Sequence, residues 1–185
     1  MKLVVAMTGA SGALYTQRLL DNLSPQQHAI HFIATPHANE VAALELPGGL
    51  TIPAGVINYS ETGSMLVPFV SGSTHFDAMI IIPASMGTVG RIATGVSDST
   101  IARAADVFLK ERRKLILVPR EAPYNLIHLR NLVALTEAGA TILPASPSFY
   151  SQPQTISQLV DTIIARVLDH LGIAHQLAKR WQSAE

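Results

Sequence analysis

The sequence has no cysteine in 185 residues. That excludes disulfides, thiolate metal sites and cysteine nucleophiles together. Charge is scarce: only 14% of residues are charged, and 13 basic side chains balance 13 acidic ones. The basic run KERRK at 110–114 is short and has no aromatic residues interleaved with it, so nothing marks a nucleic-acid surface. Apolar runs such as AMIIIP are too short to cross a bilayer, so no membrane insertion is expected. The N-terminus lacks a basic region ahead of an apolar stretch and cleavage site, so the expected compartment is the reducing cytoplasm. Seven histidines are present, but no HExxH pattern and no cluster with ligand spacing, so no metal is expected. TGASGA also lacks the G-x-S-x-G spacing of a nucleophile elbow.

What the chain does have is small apolar residues, with 48% of the sequence hydrophobic. At this length one domain spanning 1–185 is expected, with part of its surface buried by self-association. Apolar runs recur at 2–7, 29–34, 78–82, 114–118 and 140–143, each nearly continuous, as in strands covered on both faces. Helical spacing lies between them. Leu14, Leu19 and Leu23 mark one helix; Ile101, Ala104, Ala105 and Phe108 mark another. Leu126, Leu129, Leu132, Val133 and Leu135 read as the buried face of a third, closed by Gly139 as its C-terminal stop. A last helix runs from Thr155 to about Leu171, opened by the capping-box pattern TISQ. This alternation predicts an α/β fold, a doubly wound parallel sheet with helices on both faces in three layers. Residues 46–75 break the pattern and read as an irregular excursion with room for one short strand.

In such a sheet, ligands bind beyond the carboxyl ends of the strands. Those exits read TGASG, ATPHA, PASMGT, PREAP and PASPSFY. Hydroxyls and small residues at helix starts suit anions, because the first N–H groups of a helix lack partners and its dipole favours negative charge. Gly9 and Gly12 then have two readings, a tight corner or a phosphate cradle. Ser11 and Ser85 are N-caps or ligand contacts, and Gly87 keeps the backbone open to a flat ligand. No acidic residue ends the second strand to hold a ribose, so a nicotinamide dinucleotide is disfavoured. Arg120 and Glu121 are an ion pair, or else an anion ligand beside a proton-handling group. Arg103 and Lys110 lie seven apart on one helical face. Arg112, Arg113 and Lys114 read as a solvated stripe. Tyr150 could donate its phenol to an anion, and Trp181 in the polar tail asks for a surface to pack on.

Taken together, TGASGALY, ALE ending at Glu45, SGSTHFDAMIIIPASMGT, ARAADVFLKERRKLILVPREAP, HLRN, PSFYSQPQ, ARVLD and RW resemble the UbiX-like flavin prenyltransferases over nearly the whole chain. The resemblance implies a Rossmann-like, flavodoxin-type subunit in a homododecamer with interfacial sites. It implies an enzyme that joins a dimethylallyl group from dimethylallyl phosphate to N5 and C6 of reduced FMN, without metal, for use by UbiD-like decarboxylases. Gly9, Ala10, Ser11, Thr35, Ser85, Met86, Gly87, Thr88 and Arg120 would contact FMN. Lys110, Tyr150 and Arg166 would hold the prenyl phosphate, with Arg120 shared and Arg103 a further candidate. Ser11, Glu45 and Glu121 fall at positions implied in proton handling and leaving-group positioning, and Lys110 and Arg120 at catalytic ones. Trp181 falls at the site rim, in a tail expected from about 172 to pack on a neighbouring subunit. Thr35-Pro36 stands where the family commonly has Ser-Lys, keeping the hydroxyl and losing a charge. Two alternatives stay open: an FMN-dependent decarboxylase of cysteine derivatives with the same fold, and a non-catalytic flavin-binding subunit.

Overall fold

A computed structural model describes residues 1–178; Trp181 lies outside the described residues. Six strands form one parallel sheet: β1 (Lys2–Met7), β2 (Ala29–Ala34), β3 (Ile57–Ser60), β4 (Ala78–Ala84), β5 (Lys114–Pro119) and β6 (Thr141–Ile142). Their order is β3-β2-β1-β4-β5-β6. Five of these are the runs predicted from sequence, and β3 is the short strand inside the excursion. Without that edge strand the remaining order is the flavodoxin one; with it, the order is that of dinucleotide-binding sheets. In both, the chain reverses direction between β1 and β4, and the crevice opens at their carboxyl ends.

Alternation along β1 explains the three layers. Leu3, Val5 and Met7 join a core with α1 (Ala13–Asn22) and α6 (Ile156–Leu171). Val4 and Ala6 join a second core with α3 (Met86–Ala93) and α4 (Thr100–Lys110) on the opposite face. Arg18 of α1 clamps Asp161 of α6 with two bonds of 2.8 and 2.7 Å, pinning these helices to each other. Ile173 and Leu177 also pack on the first core, so the described start of the C-terminal tail returns to its own chain.

Four local readings change. Periodicity does not mark helix α2 (Pro36–Glu45), because it buries only the small Ala38 and Ala42. The apolar periodicity predicts a core helix at α5 (Leu126–Glu137), yet only Leu135 is buried. Leu126, Leu129 and Val133 are 59, 47 and 57% exposed and form a bare apolar stripe. Arg113 is not part of a solvated stripe; its guanidinium donates to the carbonyls of Gly72 and Thr74 at 2.6 and 2.8 Å and holds the excursion against the start of β5. The capping motif at α6 forms by half. Thr155 accepts from the Gln158 amide, but the Gln158 side chain accepts from Gln154.

Candidate functional site

The crevice is built from the exits of β1 and β4. Thr8, fully buried at the end of β1, donates its hydroxyl to the Pro83 carbonyl at 2.9 Å and accepts from the Ser85 amide at 2.7 Å. The two exits are thereby held side by side. At Gly9 a Cβ would stand 2.7 Å from Cβ of His37, so the chain approaches the first turn of α2 as only glycine allows. Ala10, almost buried, offers its backbone in the same turn.

Gly12 (φ 119°) begins α1 in the left-handed region and supplies no capping side chain. The cap comes from another element. One carboxylate oxygen of Glu45, the last residue of α2, accepts from the amides of Gly12 and Ala13 at 2.8 Å each. The Ser11 hydroxyl also bonds Glu45. The Ser11 carbonyl accepts from Nε of Arg120 at 2.9 Å. Burial pushes the Glu45 pKa up, but the Ser11 hydroxyl, the two amides and the Arg120 charge outweigh it and hold the carboxyl below its usual range. Burial raises the Tyr15 phenol against the opposing pull of Arg120. Ser11, Glu45 and Arg120 thus form one network, and α2 both begins and ends at the strand exits.

A second cluster lies on the other side of Gly9. Thr35, Ser85 and Ser99 cap α2, α3 and α4, accepting from the amides of Ala38, Thr88 and Ala102 at 3.1, 3.4 and 3.1 Å. With Thr8, Gly9, Thr88, His37, Arg91 and Asp98 they line a cleft of about 300 Å³. The three helix starts are not equivalent. Glu61 accepts from the amides of Thr100 and Ile101 at 3.0 and 2.8 Å, so α4 is already capped from within the chain. His37 near the start of α2, and Met86 and Gly87 at the start of α3, have N–H groups with no intrahelical acceptor. Those amides and the hydroxyls of Thr35, Ser85 and Thr88 make a site for a compact anion. The Met86 side chain is buried in the second core, so its backbone faces this role.

Other predicted residues stand elsewhere. Arg120 and Glu121 do not pair with each other, since the exposed Glu121 carboxylate accepts from the Ala122 amide at 3.0 Å. Arg103 pairs with Asp106 at 2.7 Å on α4. Lys110 ends that helix, bonded to Glu111, about 10 Å further along the axis and just before β5 begins. It therefore lies at the opposite edge of the sheet from Ser11. Tyr150 follows β6 and is 87% exposed. Arg166, paired with Asp169 at 2.9 Å, lies about 15 Å along α6 from its first residue. A single copy of the chain does not bring Lys110, Tyr150 and Arg166 together. Sequence reasoning also passed over Thr8, His37, Arg91, Asp98 and Ser99. The signal for Ser99 was available, as a hydroxyl directly before a helix like the others. Thr8 follows β1 directly, His37 arrives with the first turn of α2, Arg91 with the last turn of α3, and Asp98 with the connection from α3 to α4.

Comparisons with known proteins agree with this arrangement. The flavoprotein family matches residues 1–168. A flavin prenyltransferase UbiX of Pseudomonas aeruginosa is 44% identical over 195 residues, covering 97% of this chain and 93% of the relative. The solved structure of AnUbiX (PadA1) with FMN and dimethylallyl pyrophosphate superposes with a TM-score of 0.91 at 36% identity, covering 100% of this chain and 98% of that one. A dodecameric FMN-dependent UbiX-like decarboxylase from Escherichia coli O157:H7 superposes with a TM-score of 0.88 at 39% identity, over 99% of this chain and 100% of that one.

Proposed function

This chain belongs to the flavoprotein family as a UbiX-type flavin prenyltransferase, and we propose that it transfers a dimethylallyl group from dimethylallyl phosphate to N5 and C6 of reduced FMN. The residues present fit a flavin mononucleotide. Its phosphate suits the hydroxyls of Thr35, Ser85 and Thr88 and the amides of His37, Met86 and Gly87. Gly9 leaves the backbone bare where it passes that cleft. When bound, reduced FMN supplies the nucleophilic nitrogen and carbon; the protein supplies everything that makes the prenyl group leave.

Breaking the allylic C–O bond gathers negative charge on the departing phosphate. Arg120 is fixed for that task by its bond to the Ser11 carbonyl, and a guanidinium so positioned stabilises the leaving dianion without reorganising. Lys110, Tyr150 and Arg166 join it in our reading from neighbouring copies, which reconciles their separation within one chain with an interfacial site. The dodecameric relative supports such an assembly. Because Glu45 is held ionised by the α1 amides, it is a weak proton acceptor and a firm anchor for Ser11. Ser11 then positions the prenyl phosphate. Glu121, exposed and held only within its own turn, is left for proton handling, and the departing phosphate can itself take the last proton. The product serves a UbiD-like decarboxylase, and we assign the enzyme to the cytoplasm. No helix among the described residues is long and apolar enough to cross a membrane. The whole of 1–185 acts as one catalytic domain.

The observation that carries this reading is the junction of the helix-start cleft and the Ser11–Glu45–Arg120 network on either side of Gly9. Anaerobic incubation with reduced FMN and dimethylallyl phosphate should add the mass of one prenyl group to the extracted flavin. A flavin of unchanged mass, with either the monophosphate or the diphosphate donor, would refute prenyl transfer and leave a binding subunit or a decarboxylase.

A further inference from the structure

We propose that Arg91 is the cationic ligand of the flavin phosphate in this chain, an inference that rests on the flavin-binding reading of the cleft. A phosphate monoester carries close to two negative charges at neutral pH, whereas hydroxyls and helix starts offer only dipoles. Pro36, directly after the Thr35 cap, brings neither a charge nor an N–H. Two basic side chains line the cleft, and His37 already has Nδ1 2.9 Å from the Glu40 carboxylate. Arg91 is the permanent one.

Its placement suits the role. Residues 87 and 91 lie one turn apart on the same face of α3, and a helical side chain leans back toward the N-terminus. The guanidinium follows that rule, with Nη1 only 3.4 Å from where a Cβ on Gly87 would stand. It therefore hangs over the first turn of α3, beside the amides of Met86 and Gly87, in space that a side chain at 87 would take. Asp98 accepts from Nε at 3.3 Å and steadies the group from the far rim. That bond engages one of five guanidinium donors and leaves the Nη edge to meet phosphate oxygens. Both partners are about half exposed, so the pair is weak enough for the guanidinium to turn inward on binding.

The test compares FMN with riboflavin, which lacks the phosphate, by flavin fluorescence titration of the full-length assembly. Arg91→Ala should weaken FMN binding by about 10- to 100-fold, as for loss of a charged hydrogen bond, and leave riboflavin affinity unchanged. Arg91→Lys should recover part of the loss, because a point charge replaces the fork. An FMN-to-riboflavin affinity ratio equal in wild type and Arg91→Ala would overturn the proposal while the flavin reading stands. A wild type with no preference for FMN over riboflavin would instead remove the phosphate site, and the role of Arg91 with it. Riboflavin binding reports on folding in each variant, so a collapsed cleft is recognised as such.

Discussion

Removing the Glu45 carboxylate should loosen the start of α1 in a way that can be separated from chemistry. Glu45→Ala deletes the acceptor for two amides and for the Ser11 hydroxyl. Loss of a helix N-cap costs about 0.5–2 kcal/mol, and loss of an anion at the positive end of a helix about 0.3–1 kcal/mol more. Because Glu45 is exposed, solvent screening places the sum at about 1.5 kcal/mol. For a chain of this length that corresponds to a fall of roughly 3–6 °C in the melting temperature. Glu45→Gln keeps an oxygen acceptor and should lose about half as much. The pH dependence has a definite sign. A carboxyl held below its usual pKa in the folded state stabilises the protein fully above the unfolded value, about 4.3, and this is lost as pH falls through the folded value. The gap between wild type and Glu45→Gln should therefore be flat from pH 6 to 8 and narrow below about pH 4.3. Thermal unfolding followed by circular dichroism, at one protein concentration and without flavin, measures both effects. An unchanged melting temperature for Glu45→Ala at pH 7, or a gap to Glu45→Gln that persists undiminished at pH 3, would refute the assignment of Glu45 as a charged cap.

Three further outcomes are expected. Gly9→Ala should cost about 1–3 kcal/mol by overpacking against His37 and should weaken FMN binding by displacing the first turn of α2; chemical denaturation and flavin titration both unchanged would contradict the close approach. Lys110→Ala and Arg166→Ala should each raise the apparent KM for the prenyl phosphate about tenfold or more, the worth of a charged hydrogen bond, with FMN affinity untouched; steady-state kinetics with wild-type KM in both variants would remove them from the site. Val133→Asp should leave the far-ultraviolet dichroism intact but break the assembly into smaller species by light scattering, since it puts a charge in the exposed stripe of α5. A particle of undiminished mass would show that the stripe is not an interface.

Strands were the most legible part of the sequence, because a parallel strand buried on both faces is a short apolar run and little else imitates it. Runs 2–7 and 29–34 match β1 and β2 to the residue. Helix α2 escaped because its contacts are made by two alanines and its purpose lies at its ends. Helix α5 misled for the opposite reason: its apolar residues obey the helical period, but Leu126, Leu129 and Val133 face away from this chain's own core. Periodicity reports that a face is dry, not whose surface dries it. The same limit governs the site. Ser85 and Arg120 follow strands directly and Ser11 lies in the short turn after β1, so the sheet delivers them to one edge. Lys110 shows only as a partner of Arg103 on one helical face and Tyr150 as a phenol beyond the last strand, while Glu45 and Arg166 are marked by resemblance to a family alone. His37, Arg91 and Asp98 come from α2, α3 and the α3–α4 connection, and a single sequence carries no local sign that these converge on one cleft.

Helix α2 has a consequence for how tightly the two halves of the site are matched. Its first cap, Thr35, touches the helix-start cleft, and its last side chain, Glu45, closes the start of α1. Ten residues of regular helix span about 15 Å between these duties. The element works as a gauge block. It sets the distance from the helix-start cleft to the Ser11–Glu45–Arg120 network by a rigid rod rather than by loops, so one residue added to or removed from α2 would turn Glu45 by about 100° and leave both ends individually intact but out of step.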